Sequence, residues 1–162
     1  MNWTFKLISH DATRATRQAV LWPEKTLEQL AVPGDESALH IGVFVDEQHV
    51  GVVSLFFDAE GAQFRKLAIL PVFQKSGAGT ALLAACVLIA SQKGAKKLWC
   101  NARQDALGFY TKLGFEVDPE VFAVSGLLCQ KAFLRFPYLK ILVKDVFIAG
   151  VQALGDSSRS LL

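Results

Sequence analysis

From Gly61 through Gln104 the chain has no aspartate and no glutamate. All 15 acidic residues lie outside this segment, while Arg65, Lys66, Lys75, Lys93, Lys96, Lys97 and Arg103 lie within it. A stretch so depleted in carboxylate carries a positive local potential and favours an anionic ligand. A helix buried on most sides would also need few charges, for reasons of packing alone. The net charge of +2 is too small to argue for nucleic acid. Cysteine is scarce: Cys86, Cys100 and Cys129 are scattered among apolar residues, with no CxxC and no metal-ligand spacing. That suits a reducing compartment and core packing, and it gives no reason to expect a metal. No window of about 18 residues is both apolar and free of charge, so no spanning helix is expected. The opening "MNWTFKLISHDATR" lacks the apolar run of a secretory signal. The expectation is a cytoplasmic protein that engages neither membrane nor nucleic acid.

What is present is ample core material. Of 162 residues, 52% are hydrophobic and 20% charged, which fits one domain. "WTFKLIS" alternates as a first strand, and "DATRATRQAVLW" has helical spacing with Ser9 or Asp11 as a cap. Pro23 ends it, and "EKTLEQLA" predicts a short helical turn. "ALHIGVFVD" and "HVGVVSLFFD" predict a hairpin about "EQ". "QFRKLAIL" is a fourth strand, ended by Pro71. "TALLAACVLIASQKG" is a long helix closed by Gly94, "AKKLWCNA" a short strand, and "QDALGFYTKLG" an amphipathic helix closed by Gly114. "FEV" begins another strand. "LKILVKDVFI" is strand-like, and "GDSSRSLL" predicts a frayed tail. The order predicts an α/β fold with a mixed sheet and a right-handed β-loop-helix-β crossover.

That crossover contains "QKSGAG", Gln74 to Gly79. If the loop leads straight into the helix, the first N–H groups of the helix have no partner within it. The helix dipole adds about half a positive charge there. Gly77 and Gly79 let a ligand approach the backbone, and a diphosphate would satisfy the orphan donors. Lys75, Ser76 and Thr80 offer ammonium and hydroxyl groups. A plain turn remains the alternative. No Lys follows either glycine, so the loop is not the GxxxxGK[ST] type. Leu82 stands where a dinucleotide fingerprint needs a small residue.

"LAILPVFQKSGAGTALL" followed by "LWCNARQDALGFYTKLGFE" resembles the GNAT superfamily of acyl-CoA-dependent N-acyltransferases, in its small bacterial-type members. Gln74, Gly77 and Gly79 match the family's Q/R-x-x-G-x-G/A loop. Ala106, Phe109, Tyr110, Lys112, Gly114 and Phe115 match its late A-x-x-F/L-Y-x-K-x-G-F signature. The likeness runs from about Trp3 to Val117.

The resemblance implies a mixed, mostly antiparallel central sheet with the β-loop-helix-β crossover, and residues 1–162 as a single domain. It implies acetyl-CoA as co-substrate and a small-molecule or peptide amine as acceptor. Leu67, Ala68 and Ile69 would offer backbone groups to the pantetheine. The amides of Lys75, Ser76, Gly77, Ala78, Gly79 and Thr80, with Gln74 opening the loop, would hold the diphosphate. Asn101 and Phe109 would line the channel, and Tyr110 would sit beside the thioester sulfur.

A phenol near pKa 10 is about 1.5 units weaker than a thiol near 8.5, so full transfer from Tyr110 costs roughly 2 kcal/mol. Tyr110 is therefore expected to act first as a hydrogen-bond donor. The chain departs from the family in three places. "QFRKLAIL" lacks the carboxylate that many members use as a base, leaving Asp58, Glu60 and Glu47 near the hairpin ends, His10 or His40, a water-relayed proton, or an amine that arrives neutral. Arg103 stands where many members have Asn. Residues 127–162 form an atypical C-terminal extension, which would pair at the sheet edge, pack against a twin subunit as a homodimer, or cover the acceptor cleft. A non-catalytic acyl-CoA-binding module on the same fold is the second reading.

Overall fold

The computed structural model describes residues 2–136. Strand β1 (Trp3–Ile8) leads through a 3-10 turn into helix α1 (Arg14–Val20) and two further 3-10 turns, Leu27–Leu30 and Asp35–Ser37. Then come β2 (Leu39–Val45), β3 (Gln48–Asp58), β4 (Gly61–Ile69), α2 (Ala78–Gln92), β5 (Lys97–Arg103), α3 (Leu107–Lys112), β6 (Glu116–Val117), β7 (Phe122–Val124) and β8 (Leu127–Arg135). The sheet runs β1-β2-β3-β4-β5-β8-β6, with β7 also paired to β8. Every pairing is antiparallel except β4 with β5.

The elements fall close to where the sequence places them. "EKTLEQLA" yields only a 3-10 turn, fixed by a reciprocal cap between Thr26 and Gln29. "EQ" is displaced by one residue: Asp46 and Glu47 both take positive φ, 47° and 67°, making the two-residue turn that matches strand twist. The first nine residues of the 127–162 extension form β8, inserted between β5 and β6. The remaining expectations for the extension, the strand in "LKILVKDVFI", the frayed "GDSSRSLL" and a subunit contact, lie outside the described residues.

Two features of β4 open the sheet. Val52 faces Ala68 and Ser54 faces Arg65, so Lys66 and Leu67 together oppose Val53 in a β-bulge. Lys66 takes φ 57°, a left-handed conformation that costs a side-chain-bearing residue about 1 kcal/mol. In addition, β4 pairs with β5 only at Ala62–Leu98 and Gln63–Trp99. A Cβ at Gly61 would stand 2.6 Å from the Lys97 carbonyl, so only glycine allows this approach. Past Gln63, β4 stays with β3 and β5 stays with β8, and a wedge opens between them.

Side-chain alternation gives the sheet two faces. Ile41, Val43, Val53, Leu55, Phe64, Leu98 and Cys100 share one core with Leu82, Leu83, Cys86 and Val87 of α2. Ten of the 15 residues of α2 are buried, and its first turn has no acid. Burial thus accounts for part of the missing charge between Gly61 and Gln104.

The other face carries α1 and a buried polar network. Arg17, with no exposed surface, donates to both carboxylate oxygens of Asp35 at 2.7 and 3.0 Å and to Ser54 Oγ at 2.8 Å. The His40 ring nitrogens lie 2.7 Å from Ser54 Oγ and 2.7 Å from the Asp35 carbonyl. Burial works to raise the Asp35 carboxyl, but hydrogen bonds from Arg17 and the Val32 N–H, and the Arg17 charge, hold it below its usual value. Burial pushes the His40 pKa down. The fold therefore favours neutral His40, and its contribution is lost as pH falls below the unfolded value near 6.5. Lowering pH from about 7.5 to about 5.5 is expected to reduce the urea midpoint, with a smaller loss in His40→Gln. His49, also shifted down by burial, adds the same sign, so the difference between the two proteins isolates His40. Equal losses in both would refute the assignment.

Candidate active site

The loop at the top of the wedge is built from inside. Gln74 Nε2 donates to the Ile69 carbonyl at 3.0 Å, tying the loop to the end of β4. The Ser76 hydroxyl donates to the Phe73 carbonyl. Gly77, at φ 97°, caps α2, and a Cβ there would meet nothing within 4 Å, so the space beside it is open. Among the described residues, no N–H from Lys75 to Thr80 makes a well-aligned hydrogen bond to a protein acceptor; the first firmly committed amide is Ala81, to the Gly77 carbonyl at 2.9 Å. These amides open a 15-residue helix whose dipole adds positive charge at the same end. The side chains contribute less than the sequence suggests. Ala78 is buried, Gln74 holds the loop, and the Ser76 proton is spent.

Along β4, Leu70 donates its N–H to the Val50 carbonyl. Ladder alternation then turns Ala68's backbone groups toward Val52 and Ile69's toward the wedge, where the Ile69 carbonyl already accepts from Gln74. Leu67 lies in the bulge at the wedge rim.

Helix α3 brings Phe109 and Tyr110 beside the loop. Phe109 Cζ would be 3.6 Å from a Cβ at Gly79. Tyr110, only 9% exposed, packs against Phe64, Phe109 and Phe115 at centroid distances of 5.8, 5.1 and 5.6 Å. Burial raises the Tyr110 pKa further above that of a free phenol, and the neighbouring Cys100 thiol adds to the effect. Tyr110 is therefore a protonated donor across the physiological range. Burial also pushes the Cys100 thiol up to about 12, so it is no nucleophile.

Not every expected residue joins this group. Leu98, Cys100 and Ala102 of β5 face α2, so Asn101 and Arg103 project from the opposite face. Asn101 is thus separated from Phe109 by the strand itself. Arg103 pairs with Asp105 at 2.7 Å in solvent. The five candidate bases all have other settings. Asp58 caps the β3–β4 turn through the Glu60 and Gly61 amides. Glu60 binds Lys131 at 2.9 Å. Glu47 stands in the β2–β3 turn, two strands from the wedge. His10 lies 3.5 Å from Asp11, and His40 belongs to the buried network. Sequence reading missed that network, the place of Cys100 beside Tyr110, and the re-aimed Lys66. The adjacent bases Arg65 and Lys66 in an otherwise apolar strand were the one visible signal.

The fold is shared with known proteins. Residues 9–132 match the family model described as an acetyltransferase (GNAT) domain. The uncharacterized N-acetyltransferase YitI of Bacillus subtilis (strain 168) is 30% identical over 131 residues, covering 75% of this chain and 88% of that one. Among solved structures, the IAA acetyltransferase from Bacillus cereus ATCC 14579 superposes with a TM-score of 0.68 at 18% identity, over 82% of this chain and 99% of that one. A GNAT family acetyltransferase from Elizabethkingia anophelis with acetyl-CoA bound gives 0.64 at 21% identity, over 83% and 98%. The structural likenesses speak for the fold, and the family match over most of the chain speaks for more. This chain belongs to the GNAT acetyltransferase family.

Proposed function

We propose that the protein transfers the acetyl group of acetyl-CoA to an amine by direct attack on the thioester. The observation that carries this is the set of uncommitted amides from Lys75 to Thr80, opening an acid-free helix beside the wedge. They offer a diphosphate several charge-assisted hydrogen bonds. The wedge is an extended slot whose β4 rim, at Leu67 and Ile69, presents backbone groups to a pantetheine arm. A β4 N–H directed at the thioester carbonyl would stabilise the oxyanion that forms as the amine attacks. The C–N bond forms, the C–S bond breaks, Tyr110 hydrogen-bonds to the departing sulfur, and the proton given up by the acylated nitrogen ends on that sulfur as the free thiol.

Two measurements test this. Acetyl-CoA at a hundred times its Kd is expected to stabilise the protein by about 2.7 kcal/mol. Tyr110→Phe is expected to lower kcat by about a hundredfold while changing acetyl-CoA affinity by less than about threefold. An unchanged kcat would remove Tyr110 from the chemistry.

A non-catalytic binder is the second reading, favoured by the absence of any of the five candidate bases from the wedge. Release of free thiol when amines are supplied separates an enzyme from a binder.

A further inference from the structure

We propose that the acceptor is an amine carrying an anionic group, a carboxylate or phosphate, bound by Lys66 and Lys25 beside Trp22 on the face of the sheet opposite α2. This rests on the acetyl-transfer reading and gives its acceptor a chemical class. The wedge has two mouths. One is lined by the α2 amides, Phe109 and Tyr110, and would hold the acyl carrier. An amine reaching the same thioester must enter by the other.

That second mouth is cationic. Lys66 Nζ stands 4.5 Å from the Trp22 ring centroid, and Lys25 Nζ stands 4.4 Å from the same ring. The Arg65 guanidinium lies 4.3 Å over the Phe56 ring and donates to Gln63 Oε1. Among the described residues, none of the three has a carboxylate within 4.0 Å. Asp35, the buried acid on this face, is committed to Arg17. Glu24, Glu28 and Glu36 are exposed and pair with none of them. The β-bulge points Lys66 here in an uncommon backbone conformation, a type of strain found at functional sites. Burial pushes the Lys66 pKa down, and Arg17, Lys25 and Arg65 push it the same way, with only Asp35 opposing. An anion seated among these groups would relieve that load.

The same charges act on the amine. A plain alkylammonium is repelled by three cations, whereas a zwitterion is anchored by its anionic end. A positive surrounding also lowers the pKa of the amine, so that more of it is neutral and nucleophilic. This supplies in part what an absent general base would otherwise provide.

The test compares an amino acid with its amide, and phosphoethanolamine with ethanolamine, under saturating acetyl-CoA. In the wild type kcat/KM is expected to be at least about tenfold higher for the charged member of one pair, and the pair that responds tells carboxylate from phosphate. Lys66→Met is expected to cut that preference about tenfold through KM of the charged acceptor, and Lys66→Arg to retain it. Lys25→Met is expected to act in the same direction and serves where Lys66→Met does not fold. The inference is overturned if neutral members react as well as charged ones, or if the lysine variants slow both members equally. Thermal stabilisation of the wild type by acetyl-CoA separates the layers. Without it the acetyl-transfer reading falls and takes this inference along; with it, a flat amine panel sinks this inference alone.

Discussion

Arg17→Met is expected to cost about 3–5 kcal/mol, a large share of the stability of a domain this size. The loss comes less from the broken attraction than from what stays behind. Asp35 keeps its carboxylate inside the protein, with the Val32 N–H as its remaining donor at 3.0 Å. Ser54 Oγ loses its strongest donor, and His40 loses the orientation of that hydroxyl. Arg17 is itself incompletely satisfied, since its Nε is buried without a partner among the described residues. Replacing both Arg17 and Asp35 with apolar residues of similar volume is therefore expected to recover most of the loss. Urea midpoints with unchanged m-values would measure both effects. A loss below about 1 kcal/mol for Arg17→Met would mean that the pair is solvated in solution.

Gly79→Glu is expected to weaken acetyl-CoA binding by about two to four orders of magnitude while leaving the free protein more stable. A carboxylate in the first turn of α2 would take over amides that otherwise meet the diphosphate. Losing two charge-assisted hydrogen bonds at about 1.5–3 kcal/mol each gives that range. The substitution fits sterically, because a Cβ at 79 meets Phe109 and Ile69 only at 3.6 and 4.0 Å. Glutamate is a better helix former than glycine by roughly 0.5–1 kcal/mol, and an acid at a helix N-terminus adds about 0.3–1 kcal/mol. The melting temperature of the free protein should rise by a few degrees as the shift produced by acetyl-CoA vanishes. Unchanged affinity would show that the ligand does not use these amides.

The sequence made the local layers legible. Period-two runs marked the strands, an Ala- and Leu-rich run marked α2, and GxG with a missing acid marked the loop. What it hid depends on pairing across distance. Arg17 looks like any charge on a short helix until Asp35, eighteen positions on, folds over it. The bulge at Lys66 and Leu67 leaves no local mark beyond the adjacent bases Arg65 and Lys66, because it is defined by β3 on the partner side. Asn101 was assigned to the channel from its place in a motif, and strand alternation puts its side chain on the far face. β8 was obscured by bases set within an apolar run, which read as an appendage. In the sheet, Lys131 and Arg135 lie on the face away from α2, beside Trp99 and Phe133.

The split sheet bears on how the chain assembles. Strands β1 to β4 come from one continuous stretch of sequence and β5 to β8 from another, and only two residue pairs join the sets. Few ladder contacts therefore require closing a loop across the middle of the molecule. Within the sets, β2, β3 and β4 meet through short turns, pairings that form early, whereas β1 closes a longer loop onto β2 and β5 onto β8. Helix α2, spliced between the two stretches and packed on strands of both, is the element that locks the halves together.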